Sequence, residues 1–466
     1  MKERIAELFR RTYGEMPESF TPIAPHGSSR EYYRLCGAGR RVVAACNADK
    51  KENAAFIDFA RQLRQRGINV PEVIAKDTEA GIYLQEDLGD TTLFDFIRKA
   101  SRQETEQTYR RLVHMLPHLQ MAASKDFDFS KAYPRKRFDD QSIQWDLNYF
   151  KYYFLKLADI AFSEEELEED FALLKQYLLD TDTSFFLYRD FQSRNIMIKD
   201  GEFFFIDFQG ARQGALHYDL ASLLYDAKAN LSEQMRAELL EIYLDELETL
   251  LPTDRQVFTD KFYAYVYVRI MQAMGSYGYR GWFQKKAHFL QSIPFALDNI
   301  SHLQKAKRLK PALPYLNRIF DQMACNQRLR NIGSNAGRLT VDIKSFSYKK
   351  GYPHDTSGNG GGYVFDCRCL PNPGRYEQYK QMTGKDAEVI AFLEKEQEVQ
   401  DFYVAAKTLV SQSIDRYKQR QFTNLSVYFG CTGGRHRSVY MAQRLANELQ
   451  TDGQLAVQVS HVEQNG

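Results

Sequence analysis

Residues 185–210 read FFLYRDFQSRNIMIKDGEFFFIDFQG, and this stretch decides the fold expected of the first two thirds of the chain. Asp190 and Asn195 stand five residues apart. The apolar runs on either side of Asp200-Gly201 predict a β-hairpin closed by a two-residue turn, and Asp207 follows its second strand. Such a hairpin returns Asp207 to the neighbourhood of Asn195. Phosphoryl transfer needs this set. One carboxylate orients the attacking hydroxyl and takes its proton, while a carboxylate and an amide hold Mg²⁺ against the nucleotide phosphates. Asp190 fits the first role, and Asn195 with Asp207 fits the second. A lone D-x₄-N is common in loops whose polar residues only cap and turn the chain. The ordered set of basic residue, Asp, Asn, hairpin and Asp-Phe is far more specific.

Upstream, Phe20 to Leu88 alternates short β-like runs with one helix: FTPIA, EYYRLC, RVVAAC, the helical KENAAFIDFARQLRQRG, VPEVIA and GIYLQED. This predicts a small α+β lobe, residues 1–88. Residues 89–320 are mostly helical and rich in aromatics, a larger second lobe. Between 305 and 338, eight Lys or Arg stand against Asp321 alone, so residues 321–339 are expected to form a basic linker. Beyond it, LTVDIKSFSY, GGYVFDCRCL and LSVYFGC read as strands, with helices at KDAEVIAFLEKEQEVQDFYVAAKTLVSQSIDRYKQ and HRSVYMAQRLANELQ. Residues 340–466 are therefore expected to be a smaller α/β domain.

The 466 residues include 62 Lys or Arg and 61 Asp or Glu, a balance that argues against a general polyanion binder. The N-terminal MKERIAELFRRTYGEM is an amphipathic helix without the apolar core of a secretory leader, and no run approaches the length of a membrane span. Cys36, Cys46, Cys325, Cys367, Cys369 and Cys431 form no disulfide framework. A cytoplasmic protein with reduced thiols, and no membrane partner, is expected.

Residues 1–310 resemble the aminoglycoside phosphotransferase and choline kinase superfamily, a branch of the protein-kinase-like fold. The resemblance rests on HGSSREYY at 26–33, QEDLG at 85–89, YRDFQSRN at 188–195, IDFQG at 206–210 and HYDLASLLYD at 217–226. It implies an α+β bilobal kinase-like fold using ATP and Mg²⁺. It places phosphates at Gly27, Ser28, Ser29 and Arg30, and adenine at the backbone of Glu86, Asp87 and Leu88. Asp219 is expected to buttress the catalytic loop. GINVPEVIAKDTEAGIYLQEDLGD further resembles anomeric amino-sugar kinases, which act on N-acetylmuramate or N-acetylglucosamine. Two departures stand out: Tyr188 replaces the usual His, and Gln209 the usual Gly. The strand RVVAACN also lacks the Lys that meets the α- and β-phosphates, leaving Arg30, Arg34 or Lys50 and Lys51 as substitutes. In the helical lobe, Trp145, Asp146 and Tyr149 are candidate acceptor contacts, together with the run 272–283.

The second constellation is LSVYFGCTGGRHRSVYMAQRLANEL, residues 425–449. A strand, a glycine-containing loop and a helix start combine into an anion cradle from Cys431, Thr432, Gly433, Gly434, Arg435, His436, Arg437 and Ser438. Cys431 and Arg437 also satisfy the C-x₅-R spacing of thiolate phosphatases. With DCRCLPNP and MTGKD, this segment resembles the C-terminal domain of RapZ-type RNase adapters, which implies a hexosamine phosphate ligand and, less directly, RNA. Residues 340–466 hold 15 Lys or Arg against 14 Asp or Glu, little surplus for a polyanion. Two classes of function follow: a sugar kinase with a phosphosugar-binding domain, or an RNA-binding adaptor whose kinase-like part only senses a ligand. Acceptor identity and homo-oligomerisation stay open.

Overall fold

The alternating runs of the first lobe form an antiparallel sheet of five strands, β1 (Ser19–Ile23), β2 (Glu31–Gly37), β3 (Arg40–Cys46), β4 (Val73–Asp77) and β5 (Ile82–Glu86), in the order β1-β2-β3-β5-β4. The computed structural model describes residues 1–23, 30–332, 338–353, 362–419, 422 and 424–464. The chain divides into two units, Met1–Arg280 with Ser292–Leu329, and Gly281–Gln291 with Arg330–Gly466. Ile5 and Phe9 of α1 (Lys2–Tyr13) pack with Leu35, Val42, Ala44 and Leu84 on one sheet face. Asp49 caps α2 (Lys50–Gln65) by accepting from the Lys51 and Glu52 N–H groups, the ordinary service of an Asp at a helix start.

The helical lobe carries α3 (Leu93–Ile97), α4 (Arg102–Ser124), α5 (Asp140–Phe150) and α6 (Glu164–Leu179), then α7 (His217–Leu224), α8 (Glu233–Glu248), α9 (Arg255–Gly278), α10 (Ile293–Ala306), α11 (Pro314–Cys325) and α12 (Gln327–Arg330). Between α6 and α7 lie β6 (Phe185–Leu187), β7 (Ile196–Lys199), β8 (Glu202–Phe205) and β9 (Arg212–Gly214). β7 and β8 pair as the expected hairpin. Asp200 and Gly201 both take positive φ, 53° and 80°, as a tight turn matched to strand twist requires. α11 enters the stretch expected to be linker: Leu316, Ile319, Phe320 and Met323 are buried, and the first unit runs to Leu329. Its apolar residues recur at helical spacing among the basic ones, and burial of that stripe outweighs the charge pattern.

The second unit contains a parallel sheet of β10 (Leu339–Ser347), β11 (Gly362–Asp366), β12 (Asn424–Cys431) and β13 (Leu455–His461), ordered β11-β12-β10-β13. With it go α13 (Ala387–Glu394), α14 (Gln397–Gln419) and α15 (Arg437–Leu449). β13 was not foreseen. Cys367 and Cys369, read as part of a strand, lie instead in a 3₁₀ turn started by Asp366, whose side chain accepts from the Arg368 N–H. The glycine-rich insert 356–361 lies outside the described residues. No helix among the described residues is long and apolar enough to cross a membrane.

Candidate active site

β6 delivers Tyr188, Arg189 and Asp190 to a loop held from beneath. Asp219, at the start of α7, accepts the backbone N–H groups of Tyr188 and Arg189 at 2.8 and 2.9 Å, the buttress expected of it. Burial raises the Asp219 carboxyl to about 7 despite these bonds. Arg189 sits at φ 85°, a costly conformation for a residue with a Cβ. Its guanidinium grips Asp146 of α5 through two bonds, 2.7 and 2.5 Å, between the rings of Phe138 and Tyr218. The Tyr188 hydroxyl donates to the Ile206 carbonyl, so the residue that replaces the usual His ties the loop to the strand leading into Asp207.

Three of the expected residues converge. The Asn195 amide nitrogen donates to the Asp190 carbonyl at 2.9 Å and to Asp207 Oδ2 at 3.5 Å. Asp207 adopts φ 67°. Its carboxyl is pushed up, first by burial and then by the negative charge of Asp190, against the pull of Gln209 and Arg30. Oxygen donors of this kind suit a hard divalent cation.

On the small-lobe side, Arg30 is buried, and its Nη2 lies 3.4 Å from Glu52 Oε1 of α2. Gln209 Nε2 donates to that same oxygen at 3.2 Å and to Asp207 Oδ1 at 2.7 Å, so Gln209 joins α2 to Asp207. The Phe208 ring stacks on Phe56 of α2 at 4.7 Å. Arg34 is occupied elsewhere: with Arg41 it clamps Asp87 at the hinge, Nε to Oδ2 at 2.7 Å, and its Nη2 reaches Asp90 at 2.8 Å. Burial pushes the Asp87 carboxyl up, but the bonds from Arg34, the Gly89 N–H and Arg41 outweigh it, and its pKa is lowered. Glu86 receives Lys199 at 2.8 Å, and Leu88 is buried. Lys50 and Lys51 are exposed. Gly27, Ser28 and Ser29 lie outside the described residues.

The expected acceptor contacts separate. Asp146 is committed to Arg189. Trp145 is 44% exposed, with the Arg135 guanidinium 5.7 Å from its ring. Tyr149 packs against Tyr153 and Tyr279, where two π-helical turns, Lys151–Leu155 and Tyr279–Phe283, interrupt or follow the helices. Sequence reasoning missed Arg269 of α9, whose Nη2 stands 3.7 Å from Asp190 Oδ1. Its signal was a lone cation inside the apolar run VYVRIMQAM.

In the second unit, Cys431 ends β12, and the loop after it folds back over the sulfur. The Gly434 N–H donates to Sγ at 3.2 Å, and Ser438 Oγ lies 3.1 Å away. Burial pushes the thiol up, but the Ser438 hydroxyl and the N–H groups of Ser438, Gly434 and Gly433 outweigh it, and the pKa is lowered. The cationic side chains are used otherwise. Arg437 Nη1 donates to the Arg368 and Leu370 carbonyls at 2.9 and 3.0 Å. Arg435 donates to the Met382 and Gln381 carbonyls, and His436 Nε2 lies 2.9 Å from the Tyr379 carbonyl. All three fasten the 367–384 segment. The amides of Gly433, Gly434 and Ser438 face the sulfur, and Thr432 is exposed.

The model of the phosphotransferase enzyme family matches residues 19–253, and that of the RapZ C-terminal domain matches residues 339–465. A nucleotide-binding protein of Alkalilimnicola ehrlichii is 39% identical over 134 residues, 29% of this chain and 44% of that protein. The RNase adapter protein RapZ of Yersinia pseudotuberculosis is 38% identical over 169 residues, 35% of this chain and 56% of that protein. The chain thus spans about half the length of these curated relatives. Among solved structures, an amicoumacin kinase in complex with AMP-PNP, Ca²⁺ and Ami aligns at TM-score 0.46 and 15% identity, covering 69% of this chain and 93% of that one. A choline kinase of Cryptosporidium parvum aligns at TM-score 0.46 and 12% identity, covering 69% and 100%.

Proposed function

Since the chain belongs to the phosphotransferase enzyme family, we propose that its first unit transfers the γ-phosphoryl group of ATP to a hydroxyl of a small acceptor, an amino sugar at its anomeric position. The observation that carries this reading is the convergence of Asp190, Asn195 and Asp207 about one hairpin, with Asn195 bonded to the Asp190 carbonyl and adjacent to the Asp207 carboxylate. Asp190 orients the acceptor hydroxyl and takes its proton. The hydroxyl oxygen bonds to the γ-phosphorus, and the bond from phosphorus to the β–γ bridging oxygen breaks, leaving that electron pair on ADP. Asn195 Oδ1 and the Asp207 carboxylate would hold Mg²⁺, which supplies positive charge against the phosphates. Arg30, beside Glu52, takes the place of the missing third-strand Lys. The backbone of Glu86, Asp87 and Leu88 would meet adenine.

We assign to the second unit a hexosamine phosphate at the Cys431–Ser438 loop, where the Gly433 and Gly434 amides and the Ser438 hydroxyl would leave the Cys431 sulfur for the anion and Thr432 would join them. Phosphatase chemistry is disfavoured, because Arg437 Nη1 is held by the Arg368 and Leu370 carbonyls. The amino-sugar assignment rests on the sequence resemblance at 67–90.

The experiment is Mg²⁺-dependent ATP consumption over a panel of amino sugars, choline and aminoglycosides, with phosphorus NMR of the product. The native chain should yield a sugar 1-phosphate, and Asp190→Asn should lose at least about 10³-fold in rate. No turnover on any acceptor, with tight RNA or phosphosugar binding instead, would replace the kinase by an adaptor.

A further inference from the structure

We propose that Arg269, reaching in from α9, is the cation that meets the phosphoryl group in transit; this rests on the kinase reading of the cleft. Arg269 is 8% exposed. Its Nε donates to Ser222 Oγ at 2.9 Å, Nη1 to Gln272 Oε1 at 2.7 Å, and Nη2 to Gln192 Oε1 at 3.4 Å. That same Nη2 lies 3.7 Å from Asp190 Oδ1. Three of these four partners are neutral. The fourth is a carboxylate beyond hydrogen-bond distance whose own side chain is 39% exposed. Arg189, by contrast, has its charge answered by two short bonds to Asp146. A guanidinium withdrawn from water needs a negative group to complete its surroundings, and Arg269 has only part of one.

The remaining negative charge arrives with the reaction. As the acceptor oxygen closes on the γ-phosphorus, the bond to the bridging oxygen breaks and the proton goes to Asp190, charge spreads over the three non-bridging oxygens. They pass beside Asp190, on the flank where Nη2 stands. Among the described residues, Arg269 is the one cation paired with the Asp190 carboxylate; Arg212 is buried too, but its Nε donates to the Gly210 carbonyl. Residue 192, two beyond Asp190, is a neutral Gln; Arg189 is committed to Asp146, and Arg194 stacks on the Phe94 ring at 4.6 Å. Ser222 on α7 and Gln272 one turn along α9 fix the guanidinium plane before substrate enters, which is what electrostatic stabilisation of a transition state requires.

The test uses the full chain as native, Arg269→Met, Arg269→Ala, Gln272→Ala and Asp190→Asn. For each, thermal midpoint, kcat, KM for ATP, and ADP affinity with Mg²⁺ are measured with and without aluminium fluoride, a mimic of the phosphoryl in flight. Arg269→Met should lose about 10³-fold in kcat, keep ADP affinity within about threefold, and lose the tightening of ADP by aluminium fluoride. Guanidinium ion should restore part of the turnover to Arg269→Ala but none to Asp190→Asn. Gln272→Ala keeps the charge and loosens its plane. It should cost about tenfold in kcat at a native melting point, and it decides the matter if Arg269→Met does not fold. Intact aluminium fluoride tightening in Arg269→Met, or unchanged kcat in Gln272→Ala, overturns the proposal and leaves the kinase reading standing. A native chain with neither turnover nor tightening overturns the kinase reading itself.

Discussion

Asp146→Asn tests how the catalytic loop is held. Arg189 and Asp146 keep 13% and 8% of their side chains exposed, and two bonds of 2.7 and 2.5 Å join them. Burial works to lower the guanidinium's pKa, but the Asp146 charge and the Tyr218 hydroxyl hold it raised. Removing one charge of such a pair leaves the other buried and unanswered, a loss of about 3–5 kcal/mol. At roughly 2 °C per kcal/mol for so large a unit, the melting point should fall by about 6–10 °C. Turnover should fall with it, because Arg189 precedes Asp190 and sits at φ 85°. The double variant Asp146→Asn/Arg189→Met removes both charges, so it should be more stable than either single variant, with a coupling energy of about 2 kcal/mol or more in urea denaturation. A loss under about 1 kcal/mol, or additive singles, would refute the reasoning. A raised acceptor KM at unchanged stability would instead return Asp146 to the acceptor-contact role that its sequence position suggested.

Three further outcomes follow from the same geometry. Arg30→Met should cost about 10²-fold in kcat/KM for ATP, about 2.7 kcal/mol, whereas Lys50→Met and Lys51→Met should cost less than about twofold; steady-state kinetics with varied ATP separates these, and equal losses would disqualify Arg30 as the phosphate-side cation. The pH profile of iodoacetamide labelling at Cys431 should have its midpoint below the ordinary thiol value of about 8.5, and Ser438→Ala, which removes a donor to the sulfur, should move it upward; an unchanged midpoint removes the thiolate argument. His461 contacts Ser345 Oγ at 2.9 Å and Gln443 Oε1 at 3.1 Å, and burial, then the charge of Lys385, lowers it to about 4. Its neutral form is the one the fold accepts, so the stability it contributes is complete above about pH 6.5 and is lost as pH falls toward 4, by at most about 3 kcal/mol. Hydrogen-exchange protection of the β13 amides should drop over that window, and His461→Gln should flatten the drop.

What the sequence by itself determined was local. A hairpin turn needs residues that tolerate positive φ, so Asp200-Gly201 announced it. That hairpin set Asp207 beside Asn195, because twelve residues of chain folded at a known point have few other places to go. The strand, loop and helix start around Cys431 were legible for the same reason, since they are contiguous in the chain. The tertiary structure decided what side chains from distant segments do to that frame. Gln209, noted in the sequence as a departure, bonds both Asp207 and Glu52, and Arg30 faces Glu52 because strand and helix pack together. Asp146, 43 positions before Arg189, is spent on the catalytic loop, and Arg435, His436 and Arg437 serve carbonyls that no loop motif reveals. Arg269 is the extreme case. Spacing along a chain constrains neighbours within a turn or a hairpin, but a buried charge takes its meaning from whatever the fold brings against it, and that requires the packed helices themselves.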